Sequence, residues 1–216
     1  MAGQTNVTLA INNVQSTNLG NYSVVVTNLY GAVTSSPALL AWDQVPAATP
    51  DTVQRFAGGG VRVWTGQLLA NDTDADGDGL TVTAVSPSSG AGGTVTLSGN
   101  WIYYAPPVSL NGDDAFAYTV SDGHCGGEAL GVVTVQVRAD DTPVSRLASG
   151  VGGDGTFRVW LDGKPGTTYR LQSADNLGTT NWQDVTTGTA DSFGTIEYVL
   201  APPTNGPARF YRAVSP

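Results

Sequence analysis

The amino-acid sequence predicts an all-β chain made of several small modules in tandem. Its 216 residues suffice for one large domain or for two to three small ones. The 28 glycines and 12 prolines punctuate the chain often enough to favour several. Between these breaks lie short runs rich in Val, Thr, Tyr and Trp, the grammar of strands joined by turns rather than of disorder.

The first module, residues 1–45, reads as three strands, over residues 7–11, 22–27 and 32–40. Three strands leave one large apolar face that something else must cover. The run Leu9-x-Ile11-x-x-Val14, then Gly20-x-Tyr22-x-Val24, then Asn28-x-x-Gly31 resembles the last three strands of an immunoglobulin-like domain. That resemblance implies that Tyr22 is the corner tyrosine ahead of the penultimate strand. Val24 stands where the family often has its second disulfide cysteine, and Asn18 where it often has Asp, so a disulfide-free version is implied. The missing half either belongs to a longer protein from which this chain was cut or comes from another molecule by strand addition.

Residues 45–50, Val-Pro-Ala-Ala-Thr-Pro, read as a stiff linker with little to bury. The second module, residues 46–139, has candidate strands at 61–65, 80–85, 93–97, 101–104, 115–120 and 131–137, with a first strand near 52–56. Seven short strands between Gly, Asn and Asp turns predict a sandwich.

The densest chemical signal lies in the second module. Asp72, Asp74, Asp76 and Asp78 alternate through a Gly-containing turn ahead of the strand that begins near Leu80. Oxygen-rich loops of this kind suit calcium, which takes six to eight oxygen ligands. The spacing is not that of an EF-hand, since Thr83 rather than Glu stands at the twelfth position counted from Asp72. A solvated acidic turn without a resident ion is the alternative.

Leu68-Leu69-Ala70-Asn71-Asp72, the acidic run, Gly93-Thr94-Val95, Tyr103-x-x-Pro106, and Asn111-Gly112-x-Asp114-x-Phe116-x-Tyr118-x-Val120-x-Asp122-Gly123 together resemble bacterial cadherin-like repeats. The resemblance implies an immunoglobulin-like β-sandwich used as a stalk or adhesive unit, often associated with calcium. It adds Asp114 and Asp122 as ligands brought in by folding.

Residues 140–216 form a third module, with strands expected at 144–147, 156–161, 168–173, 182–186, 194–199 and 208–214. Its size suits a small sandwich or barrel. Residues 166–174, with Leu177, Asn181-Trp182, Asp191, Gly194 and Arg209-Phe210-Tyr211-Arg212, resemble a terminal β-module of large secreted bacterial proteins. This implies architecture and setting, not an activity.

Charge and composition exclude several classes. Acidic residues outnumber basic ones 18 to 9, giving a net charge of −9, and Lys164 is the single lysine. Nucleic acid and anionic membrane surfaces both need clustered cations, so neither is expected as a partner. No apolar run reaches the roughly 18 residues of a membrane span. Met1-Ala2-Gly3-Gln4 does not read as a signal peptide, and the chain reads as an excised piece of a longer protein.

The single cysteine, Cys125, has no internal disulfide partner, and with His124 it offers only one local pair toward zinc. With one histidine and two glutamates, Glu128 and Glu197, the inventory for acid–base or triad chemistry is thin, and no enzyme is expected. The expected function is an extracellular or cell-surface scaffold or adhesive segment, stiffened by calcium. It would assemble into a stalk or filament by strand complementation, with a neighbouring copy or upstream strands as partner. The alternative is a carbohydrate-binding accessory region of a secreted enzyme, using Trp64, Trp101, Trp160, Trp182, Tyr103, Tyr104 and Tyr169; for Trp182 a core position is the expectation. A surface protein is a further candidate ligand.

Overall fold

The computed structural model describes residues 5–124, 127–138, 146–151, 156–178, 181–200 and 209–215. Cys125 lies outside the described residues, as do residues 144–145 of the first strand expected in the third module. The chain divides into two units, Met1–Gln44 and Val45–Pro216.

The first unit holds four short strands, β1 (Gly20–Tyr22), β2 (Val25–Asn28), β3 (Gly31–Thr34) and β4 (Ala38–Leu40). β1 pairs with β4 and β2 with β3, both antiparallel, so the unit is one long hairpin broken midway. The break falls at Val24 and Ser35, where two hydrogen bonds, from Ser35 N to Val24 O and from Val24 N to Ser35 Oγ, replace regular pairing. Pro37, without an N–H, cannot extend the ladder. The Tyr22 hydroxyl donates to the Asn18 carbonyl at 2.5 Å, the bond expected of a tyrosine corner.

Residues 7–11 are not a strand. Their alternation is genuine, but a strand needs a neighbour for its backbone groups and the described residues supply none. Every residue of β2 and β3 is exposed, Val25, Val26 and Val33 among them, and so is Val24 at the break.

In the second unit, β5 (Asp51–Arg55), β6 (Val61–Trp64), β7 (Thr81–Val85), β8 (Thr94–Ser98), β9 (Trp101–Ala105), β10 (Asp114–Ser121) and β11 (Glu128–Val137) build a seven-stranded sandwich. One sheet has the order β5-β11-β10-β7 and the other β6-β9-β8. All pairs are antiparallel except β5 with β11, whose five residue pairs run parallel from Asp51 with Val133 to Arg55 with Val137. Alternation sorts the side chains. Phe116, Tyr118 and Val120 of β10 and Ile102 and Tyr104 of β9 point inward and meet Val53, Val63, Val133 and Val135. A short helix, α1 (Thr65–Leu68), follows β6 and inserts Leu68 beneath this core.

The linker expected at residues 45–50 is instead tied down. Pro46 is buried, Ala47 and Thr73 exchange backbone hydrogen bonds, and Thr49 N donates to Asp72 Oδ1 at 2.7 Å. A short apolar segment beside an unpaired loop backbone satisfies both by docking.

The C-terminal sandwich sets β12 (Arg146–Val151), β13 (Phe157–Asp162), β14 (Thr168–Ala174), β15 (Gln183–Thr189), β16 (Thr195–Leu200) and β17 (Phe210–Val214) in two three-stranded sheets, β12-β13-β16 and β15-β14-β17. The open choice between sandwich and barrel thus resolves to a sandwich. Val159, Leu161, Tyr169, Leu171, Ile196 and Tyr198 fill it.

The two sandwiches meet through the turn at residues 191–194. Asp191 Oδ1 accepts from Phe193 N and Thr195 N, which fixes the turn and holds Phe193 edge-on against Tyr103, ring centroids 5.3 Å apart. Gly60 N donates to Ser192 O at 2.8 Å. Only glycine allows this approach, because a Cβ on Gly60 would strike the Tyr104 carbonyl and lie 2.9 Å from the Phe193 ring. Phe193→Ala should therefore loosen the joint while leaving both cores intact. Backbone 15N relaxation would show separate tumbling times for the two sandwiches in the variant, and one shared time in both proteins would contradict this packing.

Candidate functional site

The acidic loop begins where α1 ends and is organised by its own backbone. Asp74 Oδ1 accepts from Asp76 N at 2.8 Å and from Asp78 N at 3.2 Å, and Gly77 turns the chain with a φ of 83°. This draws Asp74, Asp76 and Asp78 together, so that one carboxylate oxygen from each lies within 4.8 Å of the others. Asp74 Oδ2 is buried and has no hydrogen-bond partner among the described residues. An unpartnered buried carboxylate oxygen is costly, and a cation placed beside it removes that cost.

Asp122 follows Ser121, which pairs with Thr81 directly after the acidic loop, so the sheet brings the two turns side by side. Its Oδ1 accepts from His124 N at 2.8 Å, while Oδ2 is buried without a partner; the residue as a whole is 6% exposed. His124 Nδ1 stands 3.5 Å from Asp78 Oδ2. The set formed by Asp74, Asp76 and Asp78 has the all-oxygen donor chemistry of a hard-cation site.

The other two aspartates proposed as ligands do different work. Asp72 is turned inward, accepting from Thr49 N and from the Tyr118 hydroxyl at 3.2 Å. The same hydroxyl reaches Asp51 Oδ2 at 2.8 Å, so one phenol stands between two carboxylates. Burial, and secondarily the Asp72 charge, raise Asp51 above the ordinary carboxylate range, against donation by Tyr118 and Asn71. Burial and the Asp51 contact push the Tyr118 phenol upward as well.

Asp114 begins β10 and points into the core, where it is 8% exposed. It accepts from Ser89 Oγ (2.5 Å), Tyr104 Oη (2.8 Å), Ala91 N (2.8 Å) and Ala115 N (2.8 Å). With its oxygens so occupied, it braces the 89–91 turn rather than joining the acidic loop. Burial alone would raise its pKa, but the four donors outweigh it and the net shift is downward. Burial and the hydrogen bond to Asp114 push Tyr104 up to about 12.

Arg55 was not foreseen from the sequence. It is 1% exposed, and its guanidinium donates to the carbonyls of Phe56, Gly59, Leu110 and Gly112 at 3.0–3.3 Å. It thereby ties the loop that meets Ser192 to the loop ahead of β10.

The aromatics proposed for sugar binding divide by strand face. Tyr104 and Tyr169 are core residues. Trp182 is half-buried, with Arg212 4.4 Å above its ring, and half-buried Trp160 pairs across to Glu197. Trp64, Trp101 and Tyr103 face outward on the β6-β9-β8 sheet.

A model of the family described as Bacterial Ig domain matches residues 43–138, and this stretch is an Ig-like sandwich. No curated protein matches the chain. Similar solved structures include an endo-fucoidan hydrolase of glycoside hydrolase family 107 (18% identity, TM-score 0.30, 63% of this chain and 27% of that one). They also include a titin fragment (13%, 0.28, 94% and 70%) and Sidekick-1 immunoglobulin domains 1–5 (14%, 0.34, 95% and 47%). The chain spans only about a quarter of that hydrolase and under half of the Sidekick-1 structure, and at these scores none of the three bears on activity. No helix of the described residues is long and apolar enough to cross a membrane.

Proposed function

We propose that the chain is a scaffold segment of an extracellular or cell-surface protein, a cadherin-like stalk or adhesive unit stiffened by calcium at Asp74, Asp76, Asp78 and Asp122. The observation that carries the metal reading is the convergence of the Asp74, Asp76 and Asp78 carboxylates with Asp74 Oδ2 buried and unpartnered among the described residues; Asp122 Oδ2, in the turn after β10, is buried and unpartnered as well. Calcium there would neutralise the mutual repulsion of the loop and join it to the turn after β10. That turn closes the sheet to which β7 and β10 belong.

The first unit supports the assembly half of the reading. It is a hairpin with a formed tyrosine corner, and its β2 and β3 valines are exposed. Strands added by a neighbouring copy or by an upstream segment would cover them.

The test is thermal unfolding of the purified chain against calcium after chelation. A ligand that binds only the folded state raises the midpoint, by the equivalent of about 2.7 kcal/mol at a hundredfold excess over Kd. Asp74→Asn should abolish that rise with little effect in chelator. A midpoint indifferent to millimolar calcium, or an unchanged rise in Asp74→Asn, would sink the metal reading.

A further inference from the structure

We infer that the outer face of the β6-β9-β8 sheet is a binding strip for a neutral polysaccharide, centred on Trp64 and flanked by Trp101 under Arg62. This goes beyond the scaffold role and is independent of calcium.

Strand alternation needs only one face of β6 and β9 for the core, and that face is filled by Val63, Ile102 and Tyr104. The opposite face nevertheless carries aromatics. Trp64 and Trp101 are direct cross-strand partners, which puts their Cβ atoms roughly 4.5–5.5 Å apart on this face. Tyr103, two pairs further along, is covered by Phe193 of the C-terminal sandwich, whereas Trp64 is 51% exposed. Among the described residues of the second unit, Trp64 is the one aromatic in the set of exposed large hydrophobics, and it lies on a face where its outward neighbours are aromatic too.

Two features fix the strip in place. The far edge of the Trp64 indole rests on Gly66 in α1, where a Cβ would lie 2.5–2.8 Å from three ring carbons. The guanidinium of Arg62 lies 4.0 Å over the Trp101 ring and is held there by Asp162 of the C-terminal sandwich at 3.4 Å. The guanidinium thus caps Trp101 and leaves Trp64 as the open ring, restrained before binding and bordered by polar groups, among them exposed Ser98 beside Trp101. Such a surface stacks on the C–H faces of pyranose rings and hydrogen-bonds their hydroxyls.

Charge selects the class of glycan. The one cation on the strip, Arg62, is matched by Asp162, and the chain carries a net charge of −9, which repels polyanions. The ligand is therefore a neutral polymer.

The experiment is affinity electrophoresis of the full chain, in chelator, through gels containing hydroxyethylcellulose, laminarin, neutral xylan or, as the anionic counterpart, carboxymethylcellulose. Retardation by at least one neutral polymer is expected. Trp64→Ala should weaken it about tenfold or more, the loss of one stacked indole. Gly66→Ala should also weaken it while keeping the melting temperature at or above that of the parent, since alanine favours a helical position and the ring alone is displaced. No retardation by any neutral polymer, equal retardation of parent and Trp64→Ala, or retardation by the anionic polymer alone would each overturn the inference. Running the gels in chelator keeps this outcome separate from that of the calcium reading.

Discussion

Asp114→Ala is expected to destabilise the central sandwich by about 3–5 kcal/mol, the cost of breaking a buried charged network and stranding its donors. Ser89, Tyr104 and two backbone N–H groups all converge on this one carboxylate. Urea unfolding at neutral pH measures the loss, and a variant within 1 kcal/mol of the parent would show the network to be dispensable.

The pH dependence gives an independent check. The folded pKa of Asp114 lies below its ordinary value, so the unfolded chain binds this proton more readily. Its contribution is therefore complete above the unfolded value near 3.9 and is lost as pH falls through the folded value. Asp114→Asn should flatten that part of the acid limb. The raised Asp51 works in the opposite sense: its contribution is present at low pH and is lost as pH rises through its folded value.

Arg55→Ala is the second large effect, again about 3–5 kcal/mol, because it opens a cavity and leaves four carbonyls without their shared donor. Its signature extends beyond stability. Arg55 shapes the loop carrying Gly59 and Gly60, so the variant should also weaken the contact with Ser192 and Phe193. Amide exchange at Gly60, followed together with urea unfolding, separates the two: faster exchange below the unfolding transition is expected. Gly60 protection unchanged from the parent would confine Arg55 to the core of one sandwich.

Much of this was legible because a period of two is a local property. Every strand of the central sandwich lies where alternation of β-branched and aromatic residues put it, within a residue or two at most ends. The same rule held information about Asp114 and Arg55. Asp114 is in phase with Phe116, Tyr118 and Val120, and Arg55 with Val53, so both had to face inward. The cadherin-like resemblance grouped Asp114 with the loop aspartates; its phase in the strand tells them apart. Asp72 differs from Asp74 for another reason. The donors that claim it, Thr49 and Tyr118, are 23 and 46 residues away in sequence, and nothing local announces them. Residues 7–11 show the converse limit, since their alternation is clear but pairing depends on a neighbour that the pattern does not contain.

The parallel pairing of β5 with β11 has a consequence for tension along the chain. These are the first and last strands of the central sandwich, and they run side by side over five residue pairs. A pull on the chain before Asp51 and after Val137 drags the two strands past each other along their length. All the bonds between them are then loaded in shear at once, whereas a hairpin pulled from its open end yields one rung at a time. The sandwich is thus clamped against stretching at the two points where the chain enters and leaves it.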